Sequence, residues 1–116
     1  MHELSIAQGI LEVVEEEIKR HHLRNITKIK LKIGELTSVV PEALDFCFSF
    51  LVKDTELKDV RLEIEKVPIR GRCLGCGREF SYKDQDFYFL CPYCGSEIEL
   101  VSGKELYVQE IEGEDG

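Results

Sequence analysis

The two Cys-x-x-Cys pairs between Cys73 and Cys94 constrain this chain more than any other feature. The first pair reads Cys-Leu-Gly-Cys-Gly, and the second, which follows after a gap of fourteen residues, reads Cys-Pro-Tyr-Cys-Gly. Two pairs at this separation are typical of a four-cysteine zinc site. The glycine after each pair, Gly77 or Gly95, suits the left-handed backbone that turns N–H groups toward thiolates. The pattern therefore predicts two metal-binding turns that share one ion.

A zinc ion in this site would be structural, because four thiolates complete its tetrahedron and leave no position for a substrate. The predicted ligands are Cys73, Cys76, Cys91 and Cys94. Disulfides are less favoured because they suit secreted proteins. Redox-active dithiols are less favoured because one Cys-x-x-Cys pair would suffice for thiol–disulfide exchange. Two alternatives remain at this point. The paired turns resemble those of rubredoxins, whose tetrathiolate iron carries an electron, and zinc ribbons often bind nucleic acid.

The charge of the chain argues against nucleic acid as a partner. The formal net charge is −8, and an acidic protein repels phosphate backbones. Residues 71–103, which include the cysteines, carry three basic side chains against five acidic ones. Four thiolates around Zn²⁺ would add further negative charge, so no basic face is expected there.

The sequence also indicates where the protein works. It shows no basic stretch followed by an apolar run that would form a signal peptide, and no run long enough to span a bilayer. Four of the five cysteines lie in the metal-type pairs, which suits a reducing compartment. We therefore expect a cytoplasmic protein without a membrane partner. The fifth cysteine, Cys47, stands among phenylalanines and is predicted to be a small core residue.

Apolar periodicity predicts two helices. In the first, apolar residues recur at helical spacing at Leu4, Ala7, Ile10, Leu11, Val14 and Ile18. Ser5 and Gln8 fit a capping box, which would start this helix near residue 5 and leave residues 1–3 exposed. The helix should end near His21. A second helix is predicted to begin at Pro41 and to present Leu44, Cys47, Phe48 and Leu51 to the core.

Alternating residues predict three strands, over residues 26–33, 60–64 and 105–111. The acidic end of the chain, residues 112–116, reads as a low-complexity tail. The cysteine segment interrupts the pattern between the second and third strands, which can lie in one sheet. The expected fold class is α+β, with two helices packed on a small three-stranded sheet and an inserted four-cysteine, zinc-ribbon-like module. The expected domains are residues 1–70 with 104–116, and residues 71–103.

The opening Met1-His2-Glu3 has the chemistry of a second metal site. A free α-amine, the backbone nitrogen of His2 and the His2 imidazole can form fused five- and six-membered chelate rings around one ion. Such a planar nitrogen set suits Ni²⁺ or Cu²⁺ and does not suit tetrahedral zinc. The fourth position would be open to Glu3, water or a ligand from a partner.

Several segments together resemble the HypA/HybF family of nickel-incorporation proteins. These are Met-His-Glu-Leu-Ser at the start, Gly34-Glu35-Leu36 and Val40–Phe46 in the middle, and the two cysteine pairs. The resemblance covers essentially the whole chain in order and size. It implies a nickel-binding α/β domain with an inserted zinc domain. Nickel would be held by Met1, His2 and Glu3, and zinc by Cys73, Cys76, Cys91 and Cys94.

The resemblance also implies a function. Proteins of this family are nickel metallochaperones that deliver Ni²⁺ to the [NiFe]-hydrogenase large-subunit precursor during maturation. They act with the nucleotide hydrolase HypB. The chain itself has no phosphate-binding loop and no nucleophile–base pair, so we expect it not to be an enzyme.

Overall fold

The computed structural model describes residues 2–82, 90, 91 and 93–115. Its elements are numbered in chain order. They are α1 (Glu3–His21), β1 (Leu23–Gly34), a 3₁₀ turn (Glu35–Thr37), α2 (Pro41–Val52), β2 (Arg61–Val67), β3 (Ile69–Cys73), β4 (Glu79–Tyr82), β5 (Ile98–Ser102) and β6 (Leu106–Asp115).

Strands β1, β2 and β6 form the main sheet, in the order β2-β1-β6. Strand β1 pairs in parallel with β2, which follows it after α2, and antiparallel with β6. The strands before and after the cysteine segment therefore lie in one sheet, as predicted, on opposite sides of β1. The α+β class with two helices on a three-stranded sheet is confirmed.

The core lies between the two helices and one face of the main sheet. Its buried side chains come from all three layers and include Ala7, Ile10, Val14, Ile29, Leu31, Ile33, Leu44, Phe48 and Val52. Cys47 is partly buried and packs against this core, in agreement with its predicted role. Neither helix in the described part of the chain has both the length and the apolar character needed to cross a bilayer.

Helix α1 begins earlier than predicted. It starts at Glu3, with His2 as its N-cap, and no side chain caps it. The capping box at Ser5 and Gln8 is therefore wrong, for a reason given with the site below. The end of the helix agrees with the sequence, since His22 adopts a left-handed conformation after His21. Pro41 is the first residue of α2, also as predicted.

The acidic end of the chain is part of the fold up to Asp115, so its description as a tail is wrong. β6 continues past the predicted end at residue 111, because β1 is also longer than predicted and offers it a partner. Side-chain contacts support this pairing. The Lys28 ammonium lies 3.3 Å from the Glu112 carboxylate, and the Asn25 amide donates to Glu114 at 2.8 Å.

The cysteine module contains a second sheet, which the sequence reading did not predict. Its strands are antiparallel in the order β4-β3-β5. It connects to the main sheet where Gly34 meets Gly103 so closely that a Cβ on Gly34 would overlap the Gly103 carbonyl. The Gly34 N–H donates to the Glu105 carbonyl at 2.7 Å. Strand β3 begins at Ile69, so the second sheet starts slightly before the predicted domain boundary at residue 71. The division of the chain into two domains remains a prediction.

Candidate metal centres

The structure brings Cys73, Cys76, Cys91 and Cys94 together. Their four sulfur atoms all lie within 4.8 Å of one another. The Sγ atoms of Cys73 and Cys94 are 3.4 Å apart, and those of Cys76 and Cys91 are 3.9 Å apart. A tetrahedral Zn–S₄ site with bonds of about 2.3 Å requires sulfur separations of about 3.8 Å, whereas a disulfide requires about 2.05 Å. The arrangement therefore fits a tetrahedral metal ion and excludes disulfides among these cysteines.

Each cysteine pair forms the same turn. The Gly77 N–H donates to the Cys73 carbonyl at 3.0 Å, and the Gly95 N–H donates to the Cys91 carbonyl at 2.9 Å. Both glycines have φ of 76°, which confirms the predicted left-handed conformation. A residue with a Cβ would adopt this conformation at a cost. The two turns thus present their sulfurs in equivalent ways from opposite sides of the site.

Backbone N–H groups inside each turn point at the first sulfur of the pair. The Cys73 Sγ accepts from Gly75 at 3.2 Å and from Cys76 at 3.3 Å. The Cys91 Sγ accepts from Tyr93 at 3.3 Å. These two cysteines are buried, while the second cysteine of each pair is exposed. Hydrogen bonds of this kind stabilise negative charge on sulfur, so the turns are prepared to hold thiolates.

The second sheet holds the turns in place. Cys73 ends β3, and its N–H donates to the Arg78 carbonyl at 2.8 Å. The Cys91 N–H donates in the same way to the Ser96 carbonyl at 2.8 Å. Phe80 and Tyr93 stack with their ring centroids 5.4 Å apart, and the Arg78 guanidinium lies 4.4 Å from the Tyr93 centroid. These contacts join the two turns across the module.

Three of the thiols differ in acidity. Hydrogen bonds from the hydroxyl and N–H of Ser96 lower the pKa of Cys94 to about 6. The Cys76 N–H is the main cause that lowers the pKa of Cys73. The Arg78 N–H favours the thiolate of Cys76, but partial desolvation and hydrogen bonds with the neighbouring thiols outweigh it and raise that pKa to about 11. Of these three thiols, Cys94 and Cys73 thus lose their protons more readily than Cys76, and a divalent cation would displace a remaining proton. Ser96 was not singled out from the sequence, where no motif marks it.

Two of the predicted nickel ligands, His2 and Glu3, lie at the start of α1, in the half of the fold built on the main sheet. Met1 lies outside the described residues. His2 is exposed and extended, with φ −87° and ψ 117°, and its imidazole makes no capping hydrogen bond. Among the described residues, neither His2 nor Glu3 belongs to the cysteine cluster.

Glu3 connects the first turn of α1 to the start of α2. Its carboxylate accepts a hydrogen bond from the Val40 N–H at 3.3 Å. Its own N–H and then that of Val40 lower the pKa of the Glu3 carboxyl. A carboxylate at the first helical position also interacts favourably with the helix dipole. This long-range contact explains why α1 begins at Glu3 instead of at the local capping signal.

Glu3→Gln is expected to destabilise the fold in a pH-dependent way. Because the folded state lowers the pKa of Glu3, its contribution is present above the unfolded value of about 4.3 and is lost as the pH falls through the folded value. The variant should unfold at lower urea concentration than the native protein at pH 7, and the difference should be smaller at pH 3. An equal difference at both pH values would mean that the charge of Glu3 has no part in this contact.

Comparisons with known proteins agree with this arrangement. Residues 1–113 match the family model described as "Hydrogenase/urease nickel incorporation, metallochaperone, hypA". The hydrogenase maturation factor HypA of Geobacter metallireducens is 43% identical over 98% of this chain and 100% of its own length. That of Lawsonia intracellularis is 36% identical over the same shares.

Solved structures show the same fold. The solution structure of the Ni metallochaperone HypA from Helicobacter pylori superposes with a TM-score of 0.71 and 23% identity, over the full length of both chains. With 98% of its length in alignment with a maturation factor at 43% identity, and with a fold shared over its whole length, this chain belongs to the HypA family of nickel-incorporation metallochaperones, which act in hydrogenase maturation.

Proposed function

We propose that this protein binds Ni²⁺ with Met1, His2 and Glu3 and delivers it to the large-subunit precursor of a [NiFe]-hydrogenase. The observation that carries the proposal is the position of His2. Its side chain lies outside α1, is exposed to solvent, and has no capping role in the fold. Because the imidazole makes no capping hydrogen bond, it is available to a metal ion.

The backbone nitrogen of His2 is also available. The first intrahelical hydrogen bond runs from the Ile6 N–H to the His2 carbonyl, at 3.2 Å. The N–H groups of the residues before Ile6 have no intrahelical carbonyl to which they could donate, as at the start of any helix. The α-amine, the nitrogen of His2 and the imidazole can therefore act together as a planar donor set for nickel. Glu3, or a group of the receiving protein, would supply a further donor.

Zinc is proposed as the resident ion of the four cysteines. Cys73, Cys76, Cys91 and Cys94 would hold it, and the sulfur separations and N–H hydrogen bonds described above fit it. When bound, zinc supplies folding free energy to the module and no reactive position, because all four ligands come from the protein. Nickel as cargo therefore needs the separate site at the amino end.

The proposed partners follow from the separation of the structural zinc site from the nickel site. The chain belongs to a family of metallochaperones and is not an enzyme, as the sequence predicted. Energy for transfer would come from the nucleotide hydrolase HypB, in the cytoplasm. Nucleic acid is not a proposed partner, because the arginines of β3 pair with acidic neighbours: Arg72 lies 3.6 Å from Glu79 and 3.5 Å from Glu99.

The direct test is a nickel titration of the native protein and of a variant with one glycine added before Met1. The extra residue moves the α-amine away from the chelate ring, so we expect tight binding to be lost. A variant with one glycine added after residue 116 is the matched control and should bind as the native protein does. Calorimetry gives the affinity, and the absorption of the planar complex reports the geometry. Equal affinities in all three proteins would contradict the proposed site.

A further inference from the structure

A groove runs along the boundary between α1 and β6, on the helix-covered side of the main sheet. Its first part has a volume of about 230 Å³. The lining residues of this part that carry the argument are Ile6, Gly9 and Val13 of α1, and Leu106, Tyr107 and Val108 of β6. This part is almost entirely apolar.

The groove continues into a second part of about 350 Å³, which shares Val13 and Val108 with the first. Here Glu17 of α1 adds an acidic group to the wall. From Ile6 to His21 the helical wall is about 22 Å long, at 1.5 Å per residue. This length matches an extended segment of about seven residues. We refer to both parts together as the α1–β6 groove.

One wall of the groove is an open sheet edge. In the part of the chain that the structure describes, β6 lies at the end of the main sheet and pairs with β1 alone. Every second N–H and carbonyl along its outer side is therefore available to another strand. Long edge strands of this kind are templates for pairing unless charges or bulges protect them. The stretch Leu106–Val108 carries no charge.

The other wall contains a glycine that the fold itself does not explain. Gly9 lies in the middle of α1, where glycine is less favourable than any residue except proline. A Cβ at this position would meet no atom of the described chain within 4 Å. No close contact inside the protein therefore requires glycine here. A glycine on an open groove wall allows the backbone of another molecule to approach closely.

Charge on the outer face of β6 favours a basic partner. Glu110 and Glu112 lie opposite Lys30 and Lys28 in the strand register, on the face away from the helices. Glu112 pairs with Lys28, whereas Lys30 reaches Glu63, so that Glu110 has no ion pair among the described residues. A neighbouring strand with basic side chains on this face would pair with Glu110.

We propose that the α1–β6 groove binds an extended segment of a partner protein, which adds to the main sheet as a fourth strand beside β6. Its apolar side chains would enter the groove at Gly9, and its basic side chains would face Glu110. A second copy of the chain is a poorer occupant, because β6 is itself acidic and the net charge is −8. The proposal concerns protein docking and goes beyond nickel binding.

The test uses a fluorescent peptide of about ten residues that alternates valine with lysine, titrated at about 0.15 M salt and followed by anisotropy. We expect Gly9→Leu to weaken binding by at least about tenfold, because the new side chain fills the groove. Gln8→Leu, on the neighbouring exposed position, is the matched control and should leave binding unchanged. Glu110→Lys should weaken binding as well. Nickel affinity should be the same in all these variants, which separates this test from that of the amino-terminal site.

Two N-methylated peptides identify the mode of binding. In the first peptide the methyl groups replace the amide hydrogens that would face β6, which prevents pairing. In the second peptide they replace the amide hydrogens that would face solvent. Only one of the two peptides should lose binding, since a shift by one residue would turn the valines away from the groove. Failure of the unmodified peptide to bind, equal behaviour of the two methylated peptides, or unchanged binding to Gly9→Leu would each overturn the proposal. A native dimer that Gly9→Leu dissociates in sedimentation would also overturn it, in favour of a second copy.

Discussion

His2→Ala is expected to abolish tight nickel binding while the fold and the zinc content stay as they are. The substitution removes one of the three nitrogens of the proposed donor set, and with it the six-membered chelate ring. We expect the nickel affinity to fall by at least about 100-fold, which corresponds to about 2.8 kcal/mol. The imidazole makes no capping hydrogen bond, so its loss should not change the thermal unfolding midpoint.

His21→Ala is the matched control for this variant. His21 lies at the opposite end of α1 and is also exposed, 3.2 Å from the Glu17 carboxylate. Its removal should leave nickel binding intact. The same pair of variants can be compared in cells by measuring the nickel content of the purified hydrogenase large subunit. If His2→Ala retained native affinity, or if both variants lost it equally, the nickel site would have to lie elsewhere.

Sequence reasoning succeeded where structure is determined within a few neighbouring residues. Gly77 and Gly95 have the predicted left-handed conformation because a turn around a metal requires it locally. Pro41 begins α2 because its fixed φ and missing N–H suit only the first helical turn. The convergence of the four cysteines follows from their spacing, since each pair already directs two sulfurs to one side.

The features that were missed depend on contacts between distant parts of the chain. Helix α1 starts at Glu3 because its carboxylate meets Val40, and no pattern near Glu3 indicates that contact. The acidic residues after Ile111 form strand only because β1 offers lysine and asparagine partners. Strand β3 has the sequence Ile-Arg-Gly-Arg-Cys, which is too short and too rich in charge to be recognised without its two neighbours.

The same distinction applies to the metal centres. The sequence indicated which residues could bind metal, but it did not indicate how the fold prepares them. The hydroxyl of Ser96 lowers the pKa of Cys94, although nothing about a serine at this position is unusual in the sequence. Glu3 was predicted to be a nickel ligand, and in the structure its carboxylate also connects the two helices. A proposed ligand with a structural hydrogen bond of its own is held in place before a metal ion arrives.

Cys73→Ala should remove zinc and unfold the cysteine module while the main sheet remains folded. Cys73 is almost fully buried, ends the central strand of the second sheet, and accepts two N–H hydrogen bonds on its sulfur. In small zinc-dependent peptides the structural ion supplies about 10–16 kcal/mol of apparent folding free energy. The three remaining thiols cannot complete the tetrahedron, so most of this stabilisation should be lost.

Metal analysis and amide hydrogen exchange test this prediction together. The native protein should contain one zinc per chain and be colourless. A red protein would instead indicate a ferric tetrathiolate site. In Cys73→Ala, zinc should be absent and β3, β4 and β5 should exchange rapidly, while β1 stays protected. Cys47→Ala is the matched control, since Cys47 packs against the other core and should not affect zinc. Nickel binding at the amino end should change only indirectly in Cys73→Ala. Retention of zinc, or protection of β3 in its absence, would show that the four sulfurs do not hold the module together.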